Sequence, residues 1–374
     1  MRHGPCGGVT PQGACEVSIA RCVFLDGPAP VFRGVSPYDG LPALGGSDVA
    51  RGTGASSPDS SGEVELAESS PLAATPVLAE TLPGPRVPAA AHAMRERLAA
   101  GRVIVADFPA RALDADAIAA AGRALRGSVD AVLSGDAGTS RVQFPPAYRT
   151  RLIRESGLSV WAGVNCRDRN RVALQGELAA LAHAEASAVH CVTGDHTLTG
   201  SRPDAEPVFD LDSTELVSLA ADAGHLVSAA ESPAAPPGLR RVSRLLEKQR
   251  AGAEVCFVNH AGGAPAVAAF VSAASDAGVG VTFLACVAVV TSAESAALLR
   301  TFTTLALEDG YLDQILAARD ARAAGINAAV RLAEDLLAID GISGVNLSGG
   351  SGRDGAAAFA DALAEIGSAI RSAA

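Results

Sequence analysis

The chain has 374 residues, 48% hydrophobic and 19% charged, enough apolar content for one large domain with an appendage or for two medium domains. Its formal net charge of −11 argues against a nucleic-acid partner or an anionic membrane surface. There is no apolar run long enough for a transmembrane helix and no secretory layout at the N-terminus, so the expected compartment is the reducing cytoplasm.

The chain opens on Gly4-Pro5-Cys6-Gly7-Gly8, then Gly13-Ala14-Cys15-Glu16-Val17 and Cys22-Val23-Phe24. Three cysteines among glycines let a short segment wrap tightly around a point, as a metal or a cluster requires. Residues 1–30 are therefore read as a small cysteine-rich module with Cys6, Cys15 and Cys22 as ligands. Three thiolates leave tetrahedral zinc one ligand short, to be completed by His3, water or another residue, and an iron-sulfur cluster with one non-cysteine ligand is the other option. The bland alternative is a glycine-rich docking tail. Residues 31–90 are rich in Pro, Gly, Ser, Ala and acidic residues and carry no sustained period, which predicts a flexible linker. A short helix over 92–100 leads out of it.

From there to residue 374 the pattern is regular. Apolar or β-branched runs at 103–108, 131–134, 158–164, 189–193, 226–229, 255–259, 279–289 and 345–347 predict strands. Amphipathic, alanine-rich stretches such as 114–125, 169–183, 215–223, 264–277 and 293–304 predict the helices between them. Eight strand–helix units over this length make residues 91–374 a (β/α)8 barrel, within the α/β class. An open doubly wound sheet is the rival, but the first strand ends in Asp107-Phe108-Pro109, without the glycine-rich turn such sheets carry. Cys166, Cys191, Cys256 and Cys286 fall in apolar runs and read as buried thiols.

In a barrel of this kind reactive groups belong at the C-terminal ends of strands. Those ends carry Asp107, Asp136, Asn165-Cys166-Arg167-Asp168, Thr193-Gly194-Asp195-His196 and Asn259-His260. Any one such aspartate is as readily a helix N-cap, but several around one mouth point to a site. The glycine-rich turn Asn346-Leu347-Ser348-Gly349-Gly350-Ser351-Gly352 after the last strand is a weaker candidate, for phosphate.

The segment Asn165-Cys166-Arg167-Asp168-Arg169-Asn170-Arg171 resembles the Thr-Cys-Arg-Asp-Arg-Asn stretch of the methylenetetrahydrofolate reductase family. Val192-Thr193-Gly194-Asp195, with Glu206-Pro207-Val208-Phe209-Asp210-Leu211-Asp212-Ser213 after it, resembles that family's Gly-Asp loop and the turn that follows. Lys248-Gln249-Arg250-Ala251-Gly252-Ala253 resembles its Lys-x-x-Ala-Gly-Ala. The N-terminal cysteine pattern is similar to the module found in the C-terminal domain of these reductases. The resemblance implies an enzyme that reduces 5,10-methylenetetrahydrofolate to 5-methyltetrahydrofolate with a hydride from FAD or NAD(P)H. It implies that Asp107, in place of a family glutamate, protonates N10 so that the ring opens to an iminium. It also implies that Asp195 lies beside pterin and flavin. Asn165, Arg167, Thr193 and Lys248 become cofactor contacts, and Asp136, Asn259 and His260 substrate contacts.

Some positions depart from the family pattern. Its Gln-Thr-Gln strand end is Phe257-Val258-Asn259 here with a new His260 after it, its Gly-x-x-Pro is absent from Ala285-Cys286-Val287-Ala288, and Arg241 falls near a family acid. Two alternatives therefore stay open beside the reductase. One is a diverged folate-dependent one-carbon transfer enzyme of specialised metabolism. The other is a non-catalytic folate-binding subunit with a redox or methyltransferase partner; a homo-oligomer is compatible with all three. For the N-terminal module, replacing Cys6, Cys15 and Cys22 together by Ser is expected to abolish bound metal, measured by elemental analysis, while barrel melting changes little.

Overall fold

Parallel strands covered on both faces need apolar side chains at nearly every position, and the runs predicted above have them. The computed structural model describes residues 9–15, 17, 19–22, 25, 85–109, 112–135, 140–301, 305–351 and 355–373. Eight strands close into a parallel barrel in sequence order: β1 (Val103–Asp107), β2 (Ala131–Ser134), β3 (Ser159–Asn165), β4 (Ala188–Val192), β5 (Val227–Glu231), β6 (Val255–Val258), β7 (Thr282–Val289) and β8 (Ile342–Gly349). The predicted (β/α)8 barrel is thus the observed fold.

The helices are α1 (Ala89–Ala100), α2 (Ala115–Leu125), α3 (Pro146–Arg154), α4 (Arg171–His183), α5 (Ser213–Asp222), α6 (Arg241–Arg250), α7 (Ala264–Asp276), α8 (Ala293–Leu299), α9 (Tyr311–Ala317), α10 (Ala321–Leu337) and α11 (Gly355–Ser372). Side-chain oxygens start several of them. Asp114 accepts from the Ala117 N–H, Asn170 from Ala173, and Asp212 forms a reciprocal cap with Glu215. No helix among the described residues is long and apolar enough to cross a membrane.

Alternation along the strands fills the barrel. Val103, Val105, Ala131, Trp161, Ala188, Val255, Phe257 and Leu284 form one buried cluster, and Ala91, Met94 and Leu98 of α1 join it at the N-terminal end. Ile104, Val132, Val160, Cys256, Phe283 and Val345 point outward to the helical layer.

Three boundaries differ from expectation. The helix expected over 293–304 ends at Leu299, and β7 is joined to β8 through three helices, α8 to α10. Strand β8 is eight residues long, because Gly344, Asn346 and Ser348 alternate inward with the apolar positions that signalled only 345–347. Of the linker expected over 31–90, residues 31–84 lie outside the described residues, and Ala89 and Ala90 already belong to α1.

One glycine is fixed by close approach. A Cβ on Gly325 of α10 would meet the Val290 carbonyl oxygen at 1.7 Å, so the helix crosses the end of β7 only with hydrogen there. Gly325→Ala is expected to destabilise the barrel by about 1–3 kcal/mol, the usual range for overpacking, measured by urea unfolding.

Candidate functional site at the barrel mouth

The same alternation places polar side chains in the lumen at the C-terminal ends of β1, β6, β7 and β8. The Asn259 amide Nδ2 donates to Ser232 Oγ at 2.9 Å, and the Cys286 thiol donates to Asn259 Oδ1 at 3.7 Å. Asn346 Nδ2 lies 3.9 Å from Cys286 Sγ and donates to Asp107 Oδ1 at 3.0 Å. The Gly349 N–H donates to Asp107 Oδ2 at 3.3 Å, and the Ser348 hydroxyl bonds the same carboxyl. These contacts form one chain across the mouth, from Ser232 on the β5 side to Asp107 on β1.

Its chemistry follows from burial. Asp107 keeps a partly exposed surface, yet its carboxyl sits in the dense rim of the lumen. Loss of solvation there raises its pKa, and the bonds from Asn346, Ser348 and Gly349 only partly oppose this. The Cys286 thiol is pushed up to about 12 by burial and by the neighbouring Asp107, so it stays a weak S–H donor. One layer deeper, Trp161 Nε1 donates to Ser228 Oγ at 2.8 Å, and that oxygen lies 2.9 Å from His190 Nδ1. Burial pulls His190 down to about 4, so the imidazole is neutral and packs edge-on against Phe257.

Asp107 and Asn259, both singled out in the sequence, are therefore brought into one network. Other candidates lie elsewhere. Arg167 is 0% exposed; its Nε and Nη2 both reach Asp168 at 2.7 Å and its Nη1 reaches the Asp195 carbonyl at 3.3 Å. Thr193 Oγ1 accepts the Ser213 N–H at the start of α5, and Asn165 Oδ1 accepts the Asp168 N–H. As placed, these three side chains hold the β3 and β4 loops together. Asp195 is exposed beside them. Asp136 and Cys6 lie outside the described residues.

Lys248, expected as a cofactor contact, is engaged within the protein as placed. It is buried on the outer side of the sheet, with Nζ 2.5 Å from Glu231 Oε1 and from the Ala230 carbonyl, and Arg241 and Arg244 share that carboxylate. Burial alone would raise the Glu231 pKa, but Lys248, Arg244 and Arg241 hold it below its ordinary value. Lys248 is itself drawn down, because burial costs its ammonium more than Glu231 returns.

His260, expected as a substrate contact or as a structural histidine, is placed away from the lumen. The residue after inward-facing Asn259 faces the other way, behind the sheet. There it lines a cavity of about 20 Å³, enough for one water, with Val267, Leu307, Tyr311 and Leu332. Its ring is bonded to the Cys286 backbone, its Nε2 has no partner among the described residues, and burial lowers it to about 4.

No group of three His, Cys, Asp or Glu among the described residues is placed to hold a metal. Cys15 and Cys22 lie half-buried in tight turns bridged at Val9–Cys15 and Ala14–Arg21, and two described thiols do not make a site. The cationic side chains expected to hold a flavin or nicotinamide are engaged within the protein and do not fit that role.

Sequence reasoning read Cys286 only as a buried thiol and Asn346 and Ser348 only as part of a glycine-rich turn, and it passed over Ser232. The alternation was present at β8, because Asn346 lies between Val345 and Leu347 and Ser348 follows Leu347.

No protein-family model and no curated protein matches the chain. Among solved structures, an uncharacterised protein from Clostridium thermocellum that binds two copies of 5-methyl-5,6,7,8-tetrahydrofolic acid superposes with a TM-score of 0.56 at 10% identity. That match covers 75% of this chain and 99% of that one. The likeness is one of fold. A 2,3-dimethylmalate lyase of the PEP mutase/isocitrate lyase superfamily scores 0.43 at 14% identity, covering 70% of this chain and 81% of that one.

Lys248→Met is expected to cost about 3–5 kcal/mol, because it leaves Glu231 buried without its nearest cation; urea unfolding measures this. Since Glu231 is held below its unfolded-state value, its ionic contribution is present above that value and is lost as pH falls through the folded one.

Proposed function

We propose that the barrel mouth binds a reduced folate and that Asp107 is the acid acting on its one-carbon unit. The observation that carries the reading is the Asp107 carboxyl itself. It lies at the end of β1, it is biased by burial toward its protonated form, and it is joined through Asn346 and Cys286 to Asn259 across the mouth. Opening the five-membered ring of 5,10-methylenetetrahydrofolate needs a proton at N10, and burial that raises the Asp107 pKa favours the protonated carboxyl able to supply it. Asn259 is then the amide that positions the pterin. The resemblance of the β3 and β4 loops to the methylenetetrahydrofolate reductase family supports this substrate class. So does the fold neighbour that binds 5-methyltetrahydrofolic acid.

Reduction to the 5-methyl form is the leading reaction under this proposal, with the hydride supplied by a bound or diffusing donor. A one-carbon transfer without flavin is the second reading. It is favoured by a specific observation, since Arg167 and Lys248 are engaged inside the protein and offer no charge to a cofactor phosphate.

Calorimetric titration with 5-methyltetrahydrofolate tests the binding step, and absence of binding by the full chain would overturn the reading. Asp107→Asn is expected to lower turnover of 5,10-methylenetetrahydrofolate by about 10²–10⁴-fold while folate affinity stays within a few-fold. Because the protonated form is the active one, the parent rate is expected to fall as pH rises through the raised Asp107 pKa.

A further inference from the structure

Asn346 is 2% exposed, sits in β8 and pairs in register with Val105 of β1 and Cys286 of β7. That register places its amide between the only two titratable groups of the mouth network described above, the Asp107 carboxyl and the Cys286 thiol. The amide is used unevenly. Nδ2 donates to Asp107 Oδ1 at 3.0 Å and approaches Cys286 Sγ at 3.9 Å, whereas Oδ1 is buried without a partner among the described residues. An orphaned buried amide oxygen is costly and calls for a reason.

We infer that Asn346 is the positioning residue of the mouth acid, an amide that serves both protonation states of Asp107 by turning over. This inference rests on the reading of Asp107 as the acid. With Asp107 ionised, Nδ2 donates to the carboxylate, as observed. With Asp107 protonated, a half-turn of the amide brings Oδ1 round to accept the acid O–H, and no existing bond to Oδ1 is broken by the turn. The orphaned oxygen is what makes the second arrangement accessible. A fixed donor alone would favour the ionised form, and a fixed acceptor alone the protonated one.

The surroundings of Asp107 allow Asn346 this role. From β8 the carboxyl meets the Ser348 hydroxyl and the Gly349 N–H, and from β7 the Cys286 thiol. Its register neighbour on β2 is the apolar Leu133. Ser348 and Gly349 act on it as donors, as Asn346 does in the observed arrangement; the Asn346 amide differs in having an acceptor end free to turn toward it.

The test uses the full chain without ligand, so it does not depend on folate. In protein with isotopically labelled Asn and Asp, the Asn346 side-chain amide signals are expected to titrate with the same midpoint as the Asp107 carboxyl carbon. Asp107→Asn is expected to abolish that titration. Asn346→Leu, of similar size but without donor or acceptor, removes the partner of both states; because the bond to the charged carboxylate is the stronger of the two, the Asp107 midpoint should move upward by about one pH unit, and Asn346→Ser should restore part of the difference. Amide signals indifferent to the Asp107 titration would overturn the inference, as would an unchanged midpoint in a folded Asn346→Leu protein. If that variant does not fold, the amide titration of the parent decides alone. A parent that binds no folate yet shows coupled titration would remove the proposed function and leave Asn346 in its role.

Discussion

A closed parallel barrel turns every second side chain into a lumen with no bulk water, so each polar atom there must find its partner among the other inward-facing residues. The rest of this structure depends on that constraint. Trp161, Ser228 and His190 meet it in the middle layer by bonding to one another. Ser232, Asn259, Cys286, Asn346 and Asp107 meet it at the mouth as a chain. Leaving any of these groups unpaired would cost on the order of 1–3 kcal/mol, so the chemistry of the mouth and the stability of the lumen are set by the same contacts. Asn346 Oδ1 is an exception within that chain, and its position beside the acid gives the exception a chemical meaning.

The outer face of the sheet obeys the same rule with charges. Glu231 ends β5 facing the helical layer, and three cations from α6 gather around it. Residues suggestive of a binding site in one dimension thereby become ties between a strand and the helix that follows it. Arg167 plays the equivalent part for the β3 and β4 loops, joining Asp168 to the Asp195 carbonyl. A cation near a strand end suits a phosphate and a buried carboxylate equally well. What separates the two is whether a carboxylate of the same chain reaches it first.

This distribution of charge bears on the proposed chemistry. The acid side of the mouth is assembled in full from residues of β1, β7 and β8. The resemblance that suggested a flavin rests partly on side chains that the fold uses for itself. Under the proposed reading, such engaged cations favour chemistry without flavin.

How much was legible in one dimension follows from which forces are local. The barrel was legible, because strand and helix periods are properties of short segments, and eight such pairs have few ways to close. Asp107 and Asn259 were legible as strand-end polar groups. Cys286 was hidden inside a strand that reads as apolar and Asn346 was read as part of a glycine-rich turn, and only the β7–β8 and β8–β1 registers reveal that they bridge the two. The surroundings of His260 and Lys248 were hidden too, since one residue of alternation places the first behind the sheet and Glu231 binds the second. The sequence by itself determined the barrel, its strand ends and the acid on β1, because these depend on side-chain type and local period. Tertiary structure alone decided which polar groups meet, because hydrogen bonds and ion pairs between residues as far apart in sequence as Asp107 and Asn346 depend on strand register and on which face each side chain takes.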